Sequence, residues 1–262
     1  MITNSSNVQI KNLIKLQEKA RTRREQNAFV VEGKKMFEEA KGLGVVKRAY
    51  ATPTYIDGLP VSEQEYFQGV DYEIIDEKVM KDASDTMTPQ GILAIVEKPS
   101  YTLEQMVSGE TASLLLLEDL RDPGNLGTII RTAEGAGIDG VIMSKETVDL
   151  FNPKVVRSTM GSIFRVPFLY TDDFYEVVSQ LKEKSVSVVA TDLQGKNSYD
   201  GEVYEKKTAI VIGNEANGIS EKMRESADVL VRIPMEGKLE SLNASVAAGI
   251  MMYELYRQRR NG

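Results

Sequence analysis

The second half of the chain alternates short apolar runs with longer segments in which apolar residues recur every three or four positions. Short apolar runs flanked by glycine and polar residues are typical of buried parallel strands, and the longer segments are typical of amphipathic helices. The pattern predicts strands at Ser113–Leu117, Gly140–Ser144, Val186–Thr191, Ala209–Gly213 and Val229–Ile233. It predicts helices near Thr128–Gly135, Pro153–Ile163, Asp173–Lys184 and Leu242–Arg260. Such alternation predicts an α/β fold with a mostly parallel sheet covered by helices.

The first part of the chain has its own pattern, which predicts a small α/β sandwich. The predicted elements are helices at Val8–Lys19 and Gly33–Lys41 and strands at Ala28–Glu32, Lys47–Thr52, Tyr72–Asp76 and Gly91–Glu97. A polar, turn-forming stretch then interrupts the apolar periodicity. We therefore predict three parts: a first domain at 1–98, a linker at 99–111 and a second domain at 112–262.

The stretch Gly135–Gly140 spells G-x-G-x-x-G, the spacing of a dinucleotide-binding loop. That loop requires a strand before it and a helix after it, whereas here a predicted helix precedes and a predicted strand follows. The stretch is interpreted as a helix end and a turn, and a nucleotide-dependent dehydrogenase is disfavoured.

Composition narrows the possible chemistry. The chain has no Cys, His or Trp, which excludes disulfides, the usual zinc sites and a Ser-His-Asp triad, so no metal is predicted. The polar start at Met1–Ile10 has no signal-peptide core, and no apolar stretch approaches the roughly 18 residues of a membrane span. These features predict a cytoplasmic protein that does not enter a membrane.

Charge is distributed unevenly along the chain. The net charge is −7, yet residues 1–50 hold eleven Lys or Arg against five Glu. This asymmetry predicts an RNA-contacting lobe, although an ordinary solvated helix face is the alternative. The candidate RNA-binding residues are Lys19, Arg21, Arg23, Arg24 and Lys34.

Three strand-loop-helix motifs follow one another in the second domain. The first contains Asn125-Leu126-Gly127 and Arg131, and the second contains Ile212-Gly213-Asn214-Glu215 with Gly218. The third runs from Ile233-Pro234-Met235 to Ser241-Leu242-Asn243-Ala244. In an open α/β sheet such loops meet outside the carboxyl ends of the strands, where ligands bind. Asn125, as a loop residue, and Arg131, in the second helical turn, are expected to face the same space.

These motifs, in this order, resemble the TrmH/SpoU family of RNA ribose 2'-O-methyltransferases, within the SPOUT class. The sequence departs from the family pattern at Ala216, often Gly, and at Ala244, often Val. The resemblance implies a C-terminal trefoil knot and S-adenosylmethionine as the methyl donor. The residues that match donor-contacting positions are Gly213, Ile233 and Leu242, with Thr191 and Leu193 closing the pocket.

The resemblance also implies roles in catalysis. It gives Arg131 the task of general base, but a guanidinium with a pKa above about 12 is a poor proton acceptor. A two-pronged contact with the RNA phosphate is the less demanding role. Asn125 positions the ribose or Arg131, and Ser241 and Asn243 orient the substrate. Glu215 is either a second candidate base or a structural carboxylate that holds the loops.

The substrate and partners are implied less sharply. The first domain resembles the substrate-binding domain of this family, whose fold is similar to small kink-turn-binding ribosomal proteins. Large-subunit rRNA is therefore the expected substrate, with tRNA as the alternative. A homodimer through the second domain is expected. A non-catalytic RNA- or ribosome-binding protein on the same fold is the rival interpretation, and retention of Arg131 and the loop glycines speaks against it.

Overall fold

The structure, a computed structural model, describes residues 1–239 and 241–261. The helices are α1 (Val8–Glu18), α2 (Ala20–Glu25), α3 (Lys34–Gly42), α4 (Pro53–Asp57), α5 (Glu63–Tyr66), α6 (Glu77–Ala83), α7 (Leu103–Val107), α8 (Pro123–Gly135), α9 (Pro153–Thr159), α10 (Phe174–Glu183), α11 (Glu221–Ser226) and α12 (Ala244–Asn261). The strands are β1 (Ala28–Glu32), β2 (Val46–Ala51), β3 (Tyr72–Ile74), β4 (Ile92–Glu97), β5 (Ala112–Leu117), β6 (Gly140–Ser144), β7 (Phe168–Thr171), β8 (Ser187–Thr191), β9 (Asn197–Ser198), β10 (Lys207–Ile212) and β11 (Val229–Arg232).

The chain divides into two compact units. Unit 1 comprises Met1–Pro99 and Asp149–Phe164, and unit 2 comprises Ser100–Val148 and Arg165–Gly262. The division near residue 99 lies close to the start of the linker expected from the sequence. The segment 149–164 differs from that expectation, because it packs with the first part of the chain.

Unit 1 is built on a four-stranded sheet in the order β1-β4-β2-β3. The β1–β4 and β2–β4 pairs are antiparallel, and β2–β3 is parallel. Apolar residues of α1 and α6 cover one face of this sheet, where Leu13, Val30 and Met80 share one buried cluster. The alternation of side chains along β1 turns Phe29 to the other face. There its ring packs against Phe151 and Phe164, with ring centroids 4.8 and 6.0 Å away.

The segment 149–164 therefore supplies part of the core of unit 1. The sequence predicts one helix over Pro153–Ile163, but α9 ends at Thr159 and a short 3-10 helix occupies Ser162–Phe164. The break follows from the two residues between them, since Met160 adopts left-handed backbone angles and Gly161 has a φ of 99°. Only glycine adopts such angles without strain.

Unit 2 contains a seven-stranded sheet in the order β7-β6-β5-β10-β8-β11-β9, and all its neighbouring pairs are parallel. The predicted mostly parallel α/β fold is confirmed. The chain moves outward from β5 to β6 and β7, and its later strands lie on the other side of β5. The strand order thus reverses between β5 and β10, which is where open α/β sheets form ligand crevices.

Helices cover both faces of this sheet. Leu114 and Leu116 of β5 join α7 and α10 in one buried cluster, and the intervening β5 residues point to the opposite face. Helices α8 and α12 pack against each other at small residues, where a Cβ at Gly249 would lie 3.7 Å from Thr132. The last turns of α12 are anchored by Arg259, which donates to the carbonyl oxygens of Ala112 and Lys206 at 2.6 and 2.9 Å.

The structure corrects the predicted start of α8. The helix begins at Pro123, five residues before the expected start near Thr128. The Asp122 side chain accepts from the Asn125 amide at 2.8 Å, and proline fits the first helical position because it has no N–H to satisfy there. The sequence Pro-Gly-Asn is thus the first turn of the helix and not a loop. In contrast, Gly135–Gly140 is a helix end and a turn, as interpreted from the sequence.

Candidate active site

A concave cavity of about 320 Å³ lies outside the carboxyl ends of β8, β10 and β11, beside the start of α12. All five predicted donor-contacting residues line it, namely Thr191, Leu193, Gly213, Ile233 and Leu242. Met235 adds apolar surface, while Asp192 and Arg224 add charged groups. A pocket of a few hundred cubic ångströms that combines apolar surface with fixed polar groups fits a small cofactor.

Gly213 forms the floor of the cavity at a position where a residue with a side chain would clash with the neighbouring backbone. A Cβ placed there would lie 2.2 Å from the carbonyl carbon of Gly218 and 2.3 Å from the Ile219 nitrogen. The loop after β10 folds back on itself, since Asn214 and Gly218 exchange two backbone hydrogen bonds of 3.0 and 2.9 Å. The close backbone approach gives this side of the cavity a fixed shape.

Glu215 ties that loop to the start of α8. Its carboxylate accepts from the backbone amides of Arg121 and Asp122 at 3.0 and 2.9 Å, and from the Asn125 side-chain amide at 3.1 Å. Partial burial raises the pKa of Glu215, but these hydrogen bonds outweigh that effect and hold the pKa below its usual value. The contacts correspond to the structural carboxylate expected as one of its two possible roles.

Asn125 extends the connection to the third motif. Its side-chain oxygen accepts from the Asn243 amide at 2.9 Å, and the Asn243 oxygen in turn accepts from the Ser245 backbone amide at 2.9 Å. An ionised carboxylate only accepts hydrogen bonds, so Glu215 fixes which way both Asn amides point. The chain from Glu215 to Asn243 joins all three motifs and caps α12.

The two remaining predicted catalytic residues lie in different surroundings. Ser241 is exposed and lines the cavity. Arg131 is exposed on α8 and does not line the cavity. The expectation that Asn125 and Arg131 face one space fails within a single chain. Because both residues belong to one helix, six positions place them about 120° apart around its axis and about 9 Å apart along it.

Glu118 is a site residue that the sequence analysis missed. It follows β5, is 6% exposed, and accepts from the Ser220 backbone amide at 2.9 Å and the Ser220 hydroxyl at 2.7 Å. It also accepts from the Tyr175 hydroxyl at 2.5 Å, and burial together with that bond raises the pKa of Tyr175 to about 12. Since Ser220 ends the Gly213 loop and caps α11, Glu118 clamps the loop from behind. A carboxylate directly after the apolar run Leu114–Leu117 was the available signal.

Asp192 was also missed. Its side chain is 4% exposed, and its Oδ2 accepts from Arg224 Nε at 2.6 Å while its Oδ1 accepts from the Gln194 amide at 2.7 Å. These bonds fix the turn that carries Leu193 at the mouth of the cavity. The hydrogen bond to Asp192, together with a second one to Glu221, raises the pKa of Arg224 above its ordinary value.

The predicted RNA-binding residues of unit 1 separate into two kinds. Arg23 is only 3% exposed, donates to Asp149 at 2.9 and 2.7 Å, and donates to the carbonyl oxygens of Leu16 and Gln17 at 2.7 Å each. Its guanidinium is therefore a core group that caps α1, which corrects its place among the RNA-binding candidates. The exposed candidates are Lys19, Arg21, Arg24 and Lys34.

Two further searches cover only the part of the chain that the structure describes. Over residues 1–239 and 241–261, no group of three or more acidic side chains is arranged to hold a metal ion. Among the described helices, none is long and apolar enough to cross a membrane.

Comparison with known proteins matches the first and the second part of the chain to different families, and the second match includes the segment 149–164 that packs in unit 1. Residues 112–253 match the SpoU rRNA Methylase family, and residues 7–94 match the MRM3-like substrate binding domain. The 23S rRNA (guanosine(2553)-2'-O)-methyltransferase RlmP of Bacillus subtilis strain 168 is 34% identical over 97% of this chain and 98% of its own.

Solved structures show the same relationship. The SpoU methyltransferase AviRb from Streptomyces viridochromogenes, in complex with AdoMet, is 26% identical with a TM-score of 0.88, covering 98% of this chain and 99% of its own. The AdoMet-bound rRNA methyltransferase from Sinorhizobium meliloti is 31% identical with a TM-score of 0.83, covering 98% and 97%. The predicted resemblance is confirmed, and the chain belongs to the SpoU rRNA methylase family.

Proposed function

We propose that this protein transfers a methyl group from S-adenosylmethionine to a ribose 2'-hydroxyl of RNA, with large-subunit rRNA as its substrate. The observation that carries the proposal is the cavity, in which five donor-contacting candidates from three separate loops meet. The full-length similarity to RlmP supports rRNA as the substrate class.

The cavity residues fit the donor. Leu193, Ile233 and Leu242 offer apolar surface for its adenine, and the bare backbone at Gly213 leaves room that a Cβ would fill. When bound, the donor supplies a methyl group on a sulfonium, which is a good leaving group. Alignment of the attacking hydroxyl then provides much of the rate acceleration.

The chain's own groups align that hydroxyl and help it to lose its proton. Glu215 is a weak base, because its pKa lies below the usual value and its oxygens already accept three hydrogen bonds. Asn125 and Asn243 position the loops through each other. Ser241, exposed at the cavity, orients the ribose. Arg131 of a second copy of the chain clamps the adjacent phosphate, which holds the hydroxyl while phosphate or water takes the proton.

Arg131 and the exposed face of α12 support a homodimer through unit 2. Val246, Tyr253 and Tyr256 are large exposed apolar or aromatic residues that recur at helical spacing. Arg131 precedes Thr132, which packs at this helix through Gly249. A second copy on this face would bring its own Arg131 into the interface and complete a site that one chain leaves open.

The proposal also includes the expected domain roles, the trefoil knot and the location of the enzyme in the cell. Residues 1–98 bind the RNA, 99–111 link the domains, and 112–262 carry out methyl transfer. Family membership supports a C-terminal trefoil knot, and the absence of a membrane-spanning helix among the described residues accords with a cytoplasmic enzyme.

Two measurements test the proposal. Calorimetry with S-adenosylmethionine, S-adenosylhomocysteine and NAD is expected to show binding of the first two only. Transfer of labelled methyl groups to deproteinised rRNA, tRNA and assembled ribosomal subunits then identifies the substrate class, and ribose-methylation mapping identifies the nucleotide.

Arg131 separates catalysis from binding in the same assay. Arg131→Ala is expected to slow methyl transfer about 100-fold or more while leaving donor affinity unchanged, since the residue acts on the substrate phosphate. Arg131→Lys retains the charge but loses the two-pronged contact. Its rate of methyl transfer is expected to lie between those of the wild type and Arg131→Ala. Undiminished transfer by Arg131→Ala would remove this residue from the mechanism, and absence of transfer by the wild type would favour a non-catalytic RNA-binding protein.

A further inference from the structure

Unit 1 has a recess of about 340 Å³ at one edge of its sheet. It lies where β1 and β2 end and β4 begins, so residues from separate parts of the chain line it. The groups relevant to binding are Lys34, Thr54, Tyr55, Leu59, Glu77 and Gln90.

Two glycines with positive φ give the recess its shape. A Cβ at Gly33, where φ is 94°, would lie 2.5 Å from the Gln90 Oε1 atom. A Cβ at Gly91, where φ is 81°, would lie 2.9 Å from the Tyr55 Cβ. The backbone is therefore bare beneath both side chains, which lets Gln90 and Tyr55 sit against the floor.

The lining combines an aromatic ring with polar groups that stay available. The Tyr55 hydroxyl is 2.6 Å from the Tyr66 hydroxyl, which fixes the half-buried ring. Gln90 is exposed, and hydrogen bonds among the described residues leave its amide unused. Within residues 1–239 and 241–261, Glu77 accepts a single long hydrogen bond, in which its Oε1 is 3.4 Å from the Thr54 backbone nitrogen.

Positive charge lies at one side of the recess. Lys34 and Lys35 are both exposed and occupy the first two positions of α3, whose first turn contains no acidic residue. Lys34 forms an ion pair with Glu38, whose Oε1 is 3.8 Å from Nζ, and both side chains are about half exposed. Such a loosely paired lysine retains most of its capacity to bind an anion.

We propose that this recess holds one unstacked nucleotide of the RNA substrate, with its base against Tyr55, its edge read by Gln90 and its phosphate held by Lys34. Proteins recognise single-stranded RNA through this combination of aromatic stacking, amide contacts to base edges and cationic contacts to phosphate. Because Glu77 only accepts hydrogen bonds, the recess favours a base with an exocyclic amino group. The inference rests on the proposed function, since it names a contact that the first domain makes with that substrate.

The test measures binding of RNA pentanucleotides of A, C or U to the full-length protein by fluorescence anisotropy, without the methyl donor. The wild type is expected to bind A and C more tightly than U, and each more tightly than a short RNA duplex. Tyr55→Ala is expected to lower affinity about tenfold, whereas Tyr55→Phe keeps the ring and retains binding. Gln90→Ala and Glu77→Gln are expected to remove the difference between bases.

Charge is tested with a matched pair. Lys34→Ala is expected to lower affinity and reduce the salt dependence by about one phosphate contact. Lys81→Ala, at an exposed lysine of α6 that does not line the recess, is expected to change neither. Thermal unfolding of each variant checks that the fold is kept. If Tyr55→Ala unfolds unit 1, Gln90→Ala still tests the recess, because Gln90 is exposed.

The inference fails if Tyr55→Ala and Gln90→Ala both bind as the wild type does, or if Lys81→Ala weakens binding as much as Lys34→Ala. It also fails if the wild type methylates rRNA and Tyr55→Ala leaves the KM for rRNA unchanged. That result would leave the proposed function intact. Loss of pentanucleotide binding by the recess variants of a protein that methylates no RNA would instead sustain the recess and overturn the methyl-transfer proposal.

Discussion

The two units of this protein differ in where their hydrogen-bonded polar side chains lie. In unit 2 the hydrogen-bonded side chains gather around the cavity, where Glu118, Glu215 and Asn243 each hold a loop. In unit 1 the best-satisfied polar group, Arg23, lies in the core, and Gln90 and Lys34 at the recess are loosely engaged. A pocket shaped in advance suits one small ligand of constant form. Side chains left available suit a macromolecule whose contacts are made on binding.

The largest expected effect breaks the core group of unit 1. Arg23→Ala leaves Asp149 and two helix-end carbonyls without their donor, so we expect the free energy of unfolding to fall by about 3 kcal/mol. Urea unfolding measures this change. Arg24→Ala is the matched control, because Arg24 is the exposed neighbour of Arg23. Its substitution should weaken RNA binding with little change in stability. Equal effects of the two substitutions on stability would contradict the assignment of Arg23 to the core.

The next effect concerns the shaped pocket of unit 2. Gly213→Ala drives a Cβ into the backbone of Gly218 and Ile219, and we expect a loss of about 2 kcal/mol in stability with donor affinity at least tenfold weaker. Calorimetry and thermal unfolding check both. Gly237→Ala is the control, because a Cβ there meets no atom within 4 Å. Unchanged donor binding by Gly213→Ala would mean that the loop is adaptable.

Substitution of Glu118 tests whether its hydrogen bonds to Ser220 contribute as much to stability and donor binding as the shape of the Gly213 loop does. Glu118→Ala leaves the Ser220 amide without its acceptor, which we expect to cost about 1–2 kcal/mol of stability and to weaken donor binding severalfold. Tyr175→Phe removes only the hydroxyl that contacts Glu118 and Ser220, and it should have a smaller effect on both stability and donor binding. RNA binding measured without the donor should not change. A drop in RNA affinity equal to that in donor affinity would indicate general damage.

The smallest expected effect is a pH dependence. The pKa of Glu215 lies below its usual value of 4.5, so its hydrogen bonds stabilise the folded state fully above that value. This contribution is lost as the pH falls through the lower, folded-state pKa. Comparison of urea unfolding of the wild type and Glu215→Gln between neutral and acid pH isolates the contribution. The difference between them should be constant at neutral pH and shrink in acid, and a constant difference at every pH would contradict it.

Much of unit 2 was predictable from the sequence because parallel strands deliver their carboxyl ends to one edge. The loops after these strands were expected to meet for this reason, and Gly213, Ile233 and Leu242, which the family resemblance implied as donor-contacting residues, line one cavity. The short strands β7 and β9 were not predicted, since edge strands of two to four residues carry little periodic signal. The start of α8 was misplaced because Pro-Gly is common both in turns and in first helical turns.

The pattern of apolar and polar residues does not predict which side chains distant in sequence contact each other. Arg23 was grouped with its exposed neighbours because its acceptor, Asp149, is 126 residues away. Burial of an arginine depends on such a partner, and no local spacing reveals it. Similarly, the roles of Glu215 and Asn125 became separable only when their hydrogen bonds gave each amide a direction.

The membership of segment 149–164 in unit 1 has a practical consequence for dissecting the protein. The polypeptide passes between its units three times, so no single cut yields two complete modules. A gene fragment ending near residue 98 would leave the aromatic ring of Phe29 without Phe151 and Phe164. Exchange of substrate-recognition modules between related enzymes must therefore carry this internal insert along with the amino-terminal part.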